Sequence, residues 1–146
     1  MFKKILLCTD GSEHSIEAAG VAAEIAAKFG SDVIVINVLH PVPMVAPYVN
    51  AAEMSLDYQS IQEEAKSHQR ETISTTIAEL EKHGIKAESL ESEGHSVSGI
   101  VESARDIDAD LIVMGSRGMG GFQRFLLGSV SDGVLHHAEC PVLIVR

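Results

Sequence analysis

The residues with the clearest chemical potential lie in one glycine-rich stretch near the end of the chain. Its pattern is Gly115-x2-Gly118-x9-Gly128-Ser129, and five of the twelve glycines of the chain fall within it. Glycines let backbone N–H groups approach a ligand closely, and the start of a helix adds a partial positive charge. The hydroxyls of Ser129 and Ser131 can donate hydrogen bonds as well. The stretch therefore predicts a site for a phosphate or a related anion.

Two common phosphate-binding motifs are absent from this stretch. The P-loop pattern requires a Lys, and no Lys occurs between positions 115 and 131. The dinucleotide fingerprint GxGxxG fails because Gln123 stands where its third glycine is required. The pattern therefore indicates a different phosphate-binding loop, in which backbone amides replace the Lys charge.

A second polar cluster, Thr9-Asp10-Gly11-Ser12, follows the first apolar run of the chain. Ligands of open parallel sheets bind beyond the carboxyl ends of the strands, so Asp10 is placed to accept a hydrogen bond from a ligand or to help hold Mg²⁺. The alternative is a turn residue that is hydrogen-bonded to its own backbone. Arg117 and Arg124 have the same ambiguity, between a phosphate contact and a solvated loop position.

Histidines and cysteines give weaker signals. His136 and His137 are adjacent and point in different directions, so they do not form the i, i+4 pair of a metal site. We expect no protein metal site and no catalytic residues, and His95 is the histidine best placed near a ligand. Cys8 and Cys140 lie in or beside apolar runs and are expected in the core.

Composition limits the function classes. The 146 residues are 45% apolar with a formal net charge of -10, which suits one domain over residues 1–146 and disfavours a general nucleic-acid binder. Two cysteines cannot form a disulfide framework. No apolar run approaches the ~20 residues of a membrane span, and the first apolar run is too short for a signal-peptide core. We therefore expect a cytoplasmic protein without membrane insertion.

Short apolar runs alternate with helical patterns along the chain. The expected strands are Ile5–Cys8, Val33–Leu39, a weaker edge strand at Ile85–Leu90, Leu111–Met114 and Val142–Val145. The expected helices cover about 12–29, 53–83, 97–104 and 129–137. Strands that are apolar on both faces indicate a parallel sheet covered by helices on both sides, and the alternation predicts a doubly wound α/β fold. The long irregular stretch His40–Asn50 is interpreted as a lid or partner surface, or as an inert ordered loop.

The glycine spacing and its flanks resemble the universal stress protein family. In the ATP-binding motif of that family, glycine, two residues, glycine, nine residues and Gly-Ser or Gly-Thr occur in this order. The segments Ile5–Ser12, Leu111–Gly118, Gly128–Ser131 and Cys140–Val145 are similar to the family's first strand and turn, fourth strand and loop, final helix and last strand. The resemblance covers the whole chain.

The resemblance implies an open five-stranded parallel sheet of order 3-2-1-4-5, like that of adenine nucleotide α-hydrolases, with helices on both faces. It also implies ATP in the crevice between the first and fourth strands, together with Mg²⁺. The implied contact residues on the adenine side are Cys8, Thr9, Asp10 and Val38. Those on the phosphate side are Gly115, Gly118, Gly128, Ser129, Val130 and Ser131.

A pocket of backbone amides and hydroxyls without a Lys favours nucleotide binding over phosphoryl transfer. The first hypothesis is therefore an ATP-binding, dimeric regulator of the stress response that hydrolyses ATP slowly at most. An AMP or cyclic AMP binder of the same fold is the alternative. A synthetase-like enzyme is disfavoured because the Ser-Gly-Gly-x-Asp-Ser type of loop is missing after the first strand, and an interaction module without a ligand is disfavoured by the complete glycine motif.

The last strand carries an expectation about assembly. The segment Pro141–Arg146 is almost wholly apolar, and the implied strand order places it at an edge of the sheet. A bare apolar edge invites aggregation unless it is covered or paired. Pairing with a twofold copy solves this problem, and the family resemblance implies a homodimer through this strand. An additional protein partner is expected, but the sequence does not identify it.

Overall fold

The computed structural model describes residues 1–41, 51–117 and 127–146, in which strands and helices alternate. The strands are β1 (Lys4–Cys8), β2 (Asp32–Leu39), β3 (Ala87–Glu93), β4 (Leu111–Gly115) and β5 (Val142–Val145). The helices are α1 (Glu13–Phe29), α2 (Ala51–Lys82), α3 (Ser96–Asp106) and α4 (Ser129–His137). The expected order of elements is therefore confirmed.

The strands of the described residues form one parallel sheet in the order β3-β2-β1-β4-β5, which confirms the expected topology. β1 lies at the centre. The chain first builds the sheet outward through β2 and β3, and then returns to the other side of β1 for β4 and β5. The strand order therefore reverses between β1 and β4, and the carboxyl ends of these two strands face a common crevice.

The central strands are apolar along most of their length because helices cover both faces of the sheet. Ile5 and Leu7 of β1 pack in a cluster with α1 and α2, whereas Leu6 and Cys8 pack in a second cluster with α3 and α4. Successive side chains of a strand point to opposite faces, so each face receives every second residue. Polar and apolar residues therefore do not alternate in these strands because helices cover both faces of the sheet, as the sequence pattern predicted.

Helix α1 begins and ends as its sequence predicts. The hydroxyl of its N-cap, Ser12, accepts a hydrogen bond from the Ser15 amide, and Gly30 ends the helix in the left-handed conformation with φ 67°. The buried face of α1 consists of Ser15 and alanines. Such small side chains let the helix axis lie close to the sheet, and this closeness constrains the end of β4, as described below.

The third strand lies further along the chain than expected. The sequence pattern predicts a strand from Ile85 to Leu90, but β3 runs from Ala87 to Glu93. Gly84 ends α2 with φ 74°, and the Ile85 amide still donates to the Leu80 carbonyl at 3.1 Å. Ile85 therefore belongs to the helix end, and its apolar side chain packs against the core from there. β3 does form an edge of the sheet, as predicted.

None of the helices in the described ranges combines the length and the apolarity required to cross a lipid bilayer.

Candidate functional site

The start of α1 and the end of β4 are packed directly against each other. An ideal Cβ built on Gly115 would lie 2.7 Å from Cβ of His14 and 2.8 Å from its backbone carbonyl carbon. The Nδ1 atom of His14 lies 3.5 Å from Oγ of Ser116. Only a residue without a Cβ fits this approach. The glycine at position 115 is therefore required by the position of α1, whatever else it contacts.

The carbonyl group of Ser116 closes the base of the glycine-rich loop. It accepts a hydrogen bond from the Gly128 amide at 2.7 Å and another from Oγ of Ser131 at 2.8 Å. The Ser116 amide donates to the Val145 carbonyl of β5 at 2.7 Å. We call this arrangement the Ser116 clamp. It fixes the exit of β4 and the start of α4 relative to each other.

The start of α4 presents backbone donors without a side-chain cap. Its N-cap is Gly128, and no side-chain cap hydrogen bond occurs there among the described residues. The first N–H groups of a helix have no acceptor inside the helix, so those of Ser129 and Val130 are available to a ligand. Asp132 lies in the first turn, but its carboxylate is exposed and faces His136 at 3.6 Å. This helix start has the donor arrangement of an anion site.

Helix α3 also begins without a side-chain cap, at His95. It follows β3 at the edge of the sheet, however, whereas α4 begins at the Ser116 clamp beside the strand reversal. An uncapped helix start occurs at both helices, so α4 is singled out by the position of its start beside the strand reversal.

Arg117 supplies a further unpaired donor at this place. Its Nε atom is buried and, within the described part of the chain, is the one buried side-chain nitrogen or oxygen without a hydrogen-bond partner. Its Cα lies 3.4 Å from the position that a Cβ on Gly128 would occupy, next to the start of α4. A buried donor without an acceptor is unfavourable, and an anion would satisfy it. The donors present therefore fit a phosphate group.

Thr9 has all its polar groups engaged inside the protein. Its amide donates to the Ile36 carbonyl at 3.0 Å, and its carbonyl accepts from Nδ2 of Asn37 at 2.8 Å. Its hydroxyl lies 2.8 Å from that of Thr76 and 3.2 Å from that of Ser15. The structure therefore places Thr9 at the crevice but uses its polar atoms to fix the turn that follows β1.

Asp10 lies in the turn with an exposed side chain. Its Oδ1 atom accepts a hydrogen bond from the Ser12 amide at 2.9 Å, which is the turn geometry that the sequence offered as an alternative. An ionised carboxylate has about four acceptor positions, so this bond leaves capacity for a ligand. Both interpretations of Asp10 are therefore compatible with the observed geometry.

Cys8 and Val38 contribute apolar packing under the crevice. Both side chains pack in the cluster that α3 and α4 cover, and Cγ1 of Val38 lies 3.0 Å from the ideal Cβ position of Gly99. Burial raises the pKa of the Cys8 thiol strongly. Cys8 is thus a protonated core residue, and the ligand-facing group near Val38 would be its backbone.

The sequence did not predict the role of Asn37 and Gln69, whose side chains hydrogen-bond the elements beside the crevice to one another. Gln69 of α2 donates from Nε2 to the carbonyls of Asn37 and Ser92, each at 2.9 Å. A signal for both residues existed in the sequence. Asn37 interrupts an apolar strand, and Gln69 occupies the gap in the apolar stripe of α2 between Ala65 and Ile73.

Several expected residues fall outside the described ranges. These are Gly118, Arg124 and most of the stretch His40–Asn50. At the near end of that stretch, Nε2 of His40 lies 2.9 Å from Oγ of Ser96 at the start of α3. In the ranges that the structure describes, no three His, Cys, Asp or Glu side chains are grouped as metal ligands would be.

The fold and the site geometry define a doubly wound parallel α/β protein with a candidate ligand crevice at the strand reversal. The sequence model of the universal stress protein family matches residues 1–146. Universal stress protein MJ0531 of Methanocaldococcus jannaschii is 40% identical over 147 residues, which cover 100% of this chain and 83% of that protein. The chain therefore belongs to the universal stress protein family.

Solved structures agree with this assignment. The structure of hypothetical protein MJ0577 superimposes with a TM-score of 0.83 at 27% identity, covering 99% of this chain and 96% of that chain. A universal stress protein in complex with cAMP superimposes with a TM-score of 0.62, also at 27% identity and with the same coverage.

Proposed function

We propose that this universal stress protein binds ATP together with Mg²⁺ and acts as a nucleotide-dependent regulator in the stress response. The observation that carries the proposal is the start of α4. There a glycine N-cap, free helix N–H groups and the unpartnered Nε of Arg117 lie beside the Ser116 clamp. In this proposal Ser129 and Val130 bind the phosphates through their backbone amides. Gly128, whose own amide already donates to the Ser116 carbonyl, lets the phosphates approach these amides closely.

The remaining contacts follow from the strand reversal and from the family motif. Gly118 would leave room for the phosphates, and Gly115 would contribute by letting α1 approach the end of β4. The adenine and ribose would lie against the Asp10 turn and the backbone of Val38. Ser131 would act through the clamp, because its hydroxyl already donates to the Ser116 carbonyl. The carboxylate of Asp10 has acceptor capacity for the ribose or for hydrated Mg²⁺.

Adenine-nucleotide binding as a class is supported by the related cAMP complex, at 27% identity. We favour ATP because the glycine spacing of this chain resembles that of the family's ATP-binding motif. The same complex makes AMP or cyclic AMP the second candidate, since one phosphate would occupy the start of α4 equally well. Competition between these nucleotides separates the two candidates.

Binding is favoured over turnover by the charge of the loop. Phosphoryl transfer requires neutralisation of charge at the transferred group and a positioned nucleophile. The glycine-rich stretch between positions 115 and 131 contains no Lys. We therefore expect slow ATP hydrolysis at most.

We also propose a homodimer through the segment Pro141–Arg146. β5 is an edge strand, and its four residues are each half-buried in the isolated chain. Antiparallel pairing with a twofold copy would satisfy its outer backbone groups and cover its side chains. Sedimentation velocity should then give twice the 15.6 kDa mass of one chain. A monomer at micromolar concentration would contradict this part of the proposal.

Two smaller parts complete the proposal. Residues 1–146 act as a single universal stress protein domain, which the family match over the same range supports. We place the protein in the cytoplasm, because the two free thiols of Cys8 and Cys140 suit a reducing compartment.

The test is the thermal stability of the purified protein with each adenine nucleotide and Mg²⁺. A ligand at a hundred times its Kd adds about 2.7 kcal/mol to the free energy of unfolding. For a chain of this length each kcal/mol raises Tm by about 3 °C, so the expected shift is about 8 °C. Mass spectrometry of nucleotide released from the purified protein identifies the ligand independently.

The matched variants are Gly118→Val and Gly20→Ala. Gly118→Val should abolish the nucleotide-dependent shift because its side chain fills space that the phosphates require. Gly20→Ala should leave the shift unchanged, since an added Cβ there meets nothing within 4 Å. If no adenine nucleotide raises Tm of the unsubstituted protein, the proposed function is wrong.

A further inference from the structure

Gln69 is a buried polar residue in the middle of α2. It is 4% exposed and lies in the helix stripe that otherwise packs on the sheet, with Ile73 as its next neighbour along that stripe. Its amide group donates to the Asn37 carbonyl on β2 and to the Ser92 carbonyl on β3, each at 2.9 Å. One side chain of α2 therefore joins the carboxyl ends of two strands.

Asn37 continues the connection from β2 to β1. Its Nδ2 atom donates to the Thr9 carbonyl at 2.8 Å, and in return the Thr9 amide donates to the Ile36 carbonyl at 3.0 Å. Thr9 is the residue directly before Asp10, and Asn37 is the residue directly before Val38. Hydrogen bonds thus run without a break from α2 through β2 to the turn of the crevice. We call this series the Gln69 relay.

The relay has a specific chemical consequence for the crevice. Backbone groups contribute to binding only when they are held at the distance and angle that a ligand requires, and polar networks with satisfied partners hold geometry in this way. An apolar side chain at position 69 would fill the same stripe with no polar group to satisfy. Buried polar groups specify a particular geometry in some proteins without adding stability, and we interpret Gln69 in this way.

We propose that Asn37 and Gln69 are positioning residues for the adenine nucleotide, an inference that rests on the proposed function. They hold the backbone of Val38 and the Asp10 turn in the arrangement that receives the base and the ribose, and they do not touch the ligand themselves. Through these hydrogen bonds α2 affects ligand binding in the crevice, although its buried side packs against a face of the sheet.

The central experiment compares Gln69→Leu with Leu80→Ala. Gln69→Leu removes both N–H donors of the side-chain amide and introduces an apolar side chain of similar volume. Leu80→Ala removes a fully buried side chain eleven residues further along the same helix, about 16 Å away along the helix axis. It therefore destabilises the protein without touching the relay. The ATP Kd of each variant is measured by titration calorimetry at a temperature where circular dichroism finds it folded.

The expected result separates position from stability. Gln69→Leu should raise the ATP Kd by about two- to thirtyfold, the range for residues that act on a ligand without contacting it. Leu80→Ala should lower Tm more than Gln69→Leu does and leave Kd within about twofold. Cavity formation accounts for its loss of stability, and a folded population binds with unchanged affinity.

A second variant covers the case in which Gln69→Leu does not fold. Asn37→Asp keeps the shape of the side chain but replaces its donor by an oxygen that faces the Thr9 carbonyl. It should raise the ATP Kd at least as much as Gln69→Leu. Hydrogen exchange of the Val38 and Asp10 amides should become faster in either relay variant than in Leu80→Ala.

The outcomes distinguish this inference from the proposed function. If the unsubstituted protein binds ATP and both relay variants bind it within twofold of that affinity, the positioning role is wrong while nucleotide binding stands. The same holds if Leu80→Ala weakens binding as much as the relay variants do. If the unsubstituted protein binds no adenine nucleotide, the proposed function has failed, and the inference is overturned with it.

Discussion

Replacing Gly115 by alanine tests why a glycine stands at the end of β4. The added Cβ would lie 2.7 Å from Cβ of His14, 2.8 Å from its carbonyl carbon and 3.0 Å from its carbonyl oxygen. Two of these atoms belong to the backbone of α1, so a change of side-chain rotamer cannot relieve the contact. The helix or the strand end must move, and overpacking of this kind costs about 1–3 kcal/mol. We therefore expect Gly115→Ala to lower Tm by about 3–10 °C, since a chain of this length has an unfolding entropy of about 0.3 kcal/mol/K.

The assay is urea denaturation and thermal melting without nucleotide, with Gly20→Ala as the matched control. Gly20 lies within α1, and the same added methyl group meets nothing within 4 Å there. Alanine should stabilise that helix position by about 0.5–1 kcal/mol. Opposite signs for the two substitutions would support the packing argument. If Gly115→Ala melts as high as the unsubstituted protein and merely loses nucleotide affinity, the glycine serves the ligand and the reasoning from packing is refuted.

Three further predictions concern buried polar groups and thiols. Thr76→Val should reduce the free energy of unfolding, measured by urea denaturation, by about 1–3 kcal/mol, because it removes a buried hydroxyl with two hydrogen-bond partners. Thr75→Val, on the exposed side of the helix, should change this free energy by less than about 0.5 kcal/mol. Ser131→Ala should cost about 0.5–1.5 kcal/mol through the loss of one donor to the carbonyl that closes the loop, and an equal loss for the exposed Ser129→Ala would contradict this assignment. The Cys8 thiol should react with a disulfide reagent at pH 8 only after unfolding, because burial raises its pKa, and rapid labelling of the folded protein would refute the burial. The stability that the protonated Cys8 thiol contributes is fully present below its usual pKa of 9.0 and falls as the pH rises above that value.

A parallel sheet covered by helices could be predicted because both faces of each central strand are apolar, whereas the strand order was implied only by the family resemblance. Leu6 and Leu7 of β1 are both fully buried, on opposite faces of the sheet, and a run of such residues is typical of a strand covered by helices on both sides. The bounds of α1 were predictable for a local reason, since Ser12 and Gly30 act within a few residues of the helix ends. β3 was misplaced because Ile85 is apolar for a different reason, namely packing at the end of α2.

The candidate site was predictable in outline but not in detail. The glycine spacing indicated a phosphate loop before α4, and the helix start at Gly128 has the donor arrangement that this hypothesis requires. The same pattern could not distinguish a glycine that makes room for a ligand from one that makes room for α1. Gly115 and His14 are far apart along the chain, and their contact exists only once β4 has paired with β1.

Apolar periodicity, caps and glycine spacing are properties of neighbouring residues, so the sequence by itself determined the parallel α/β architecture, the family resemblance and the position of the glycine-rich loop. The tertiary structure alone decided which polar groups meet across the sheet. It joined Gln69 to Asn37 and Thr9, turned the Ser131 hydroxyl toward the Ser116 carbonyl, and engaged every polar atom of Thr9. The physical reason is that a hydrogen bond depends on the distance and direction between two groups, which here are far apart in the chain. That distance and direction are fixed only when the strands have paired and the helices have packed.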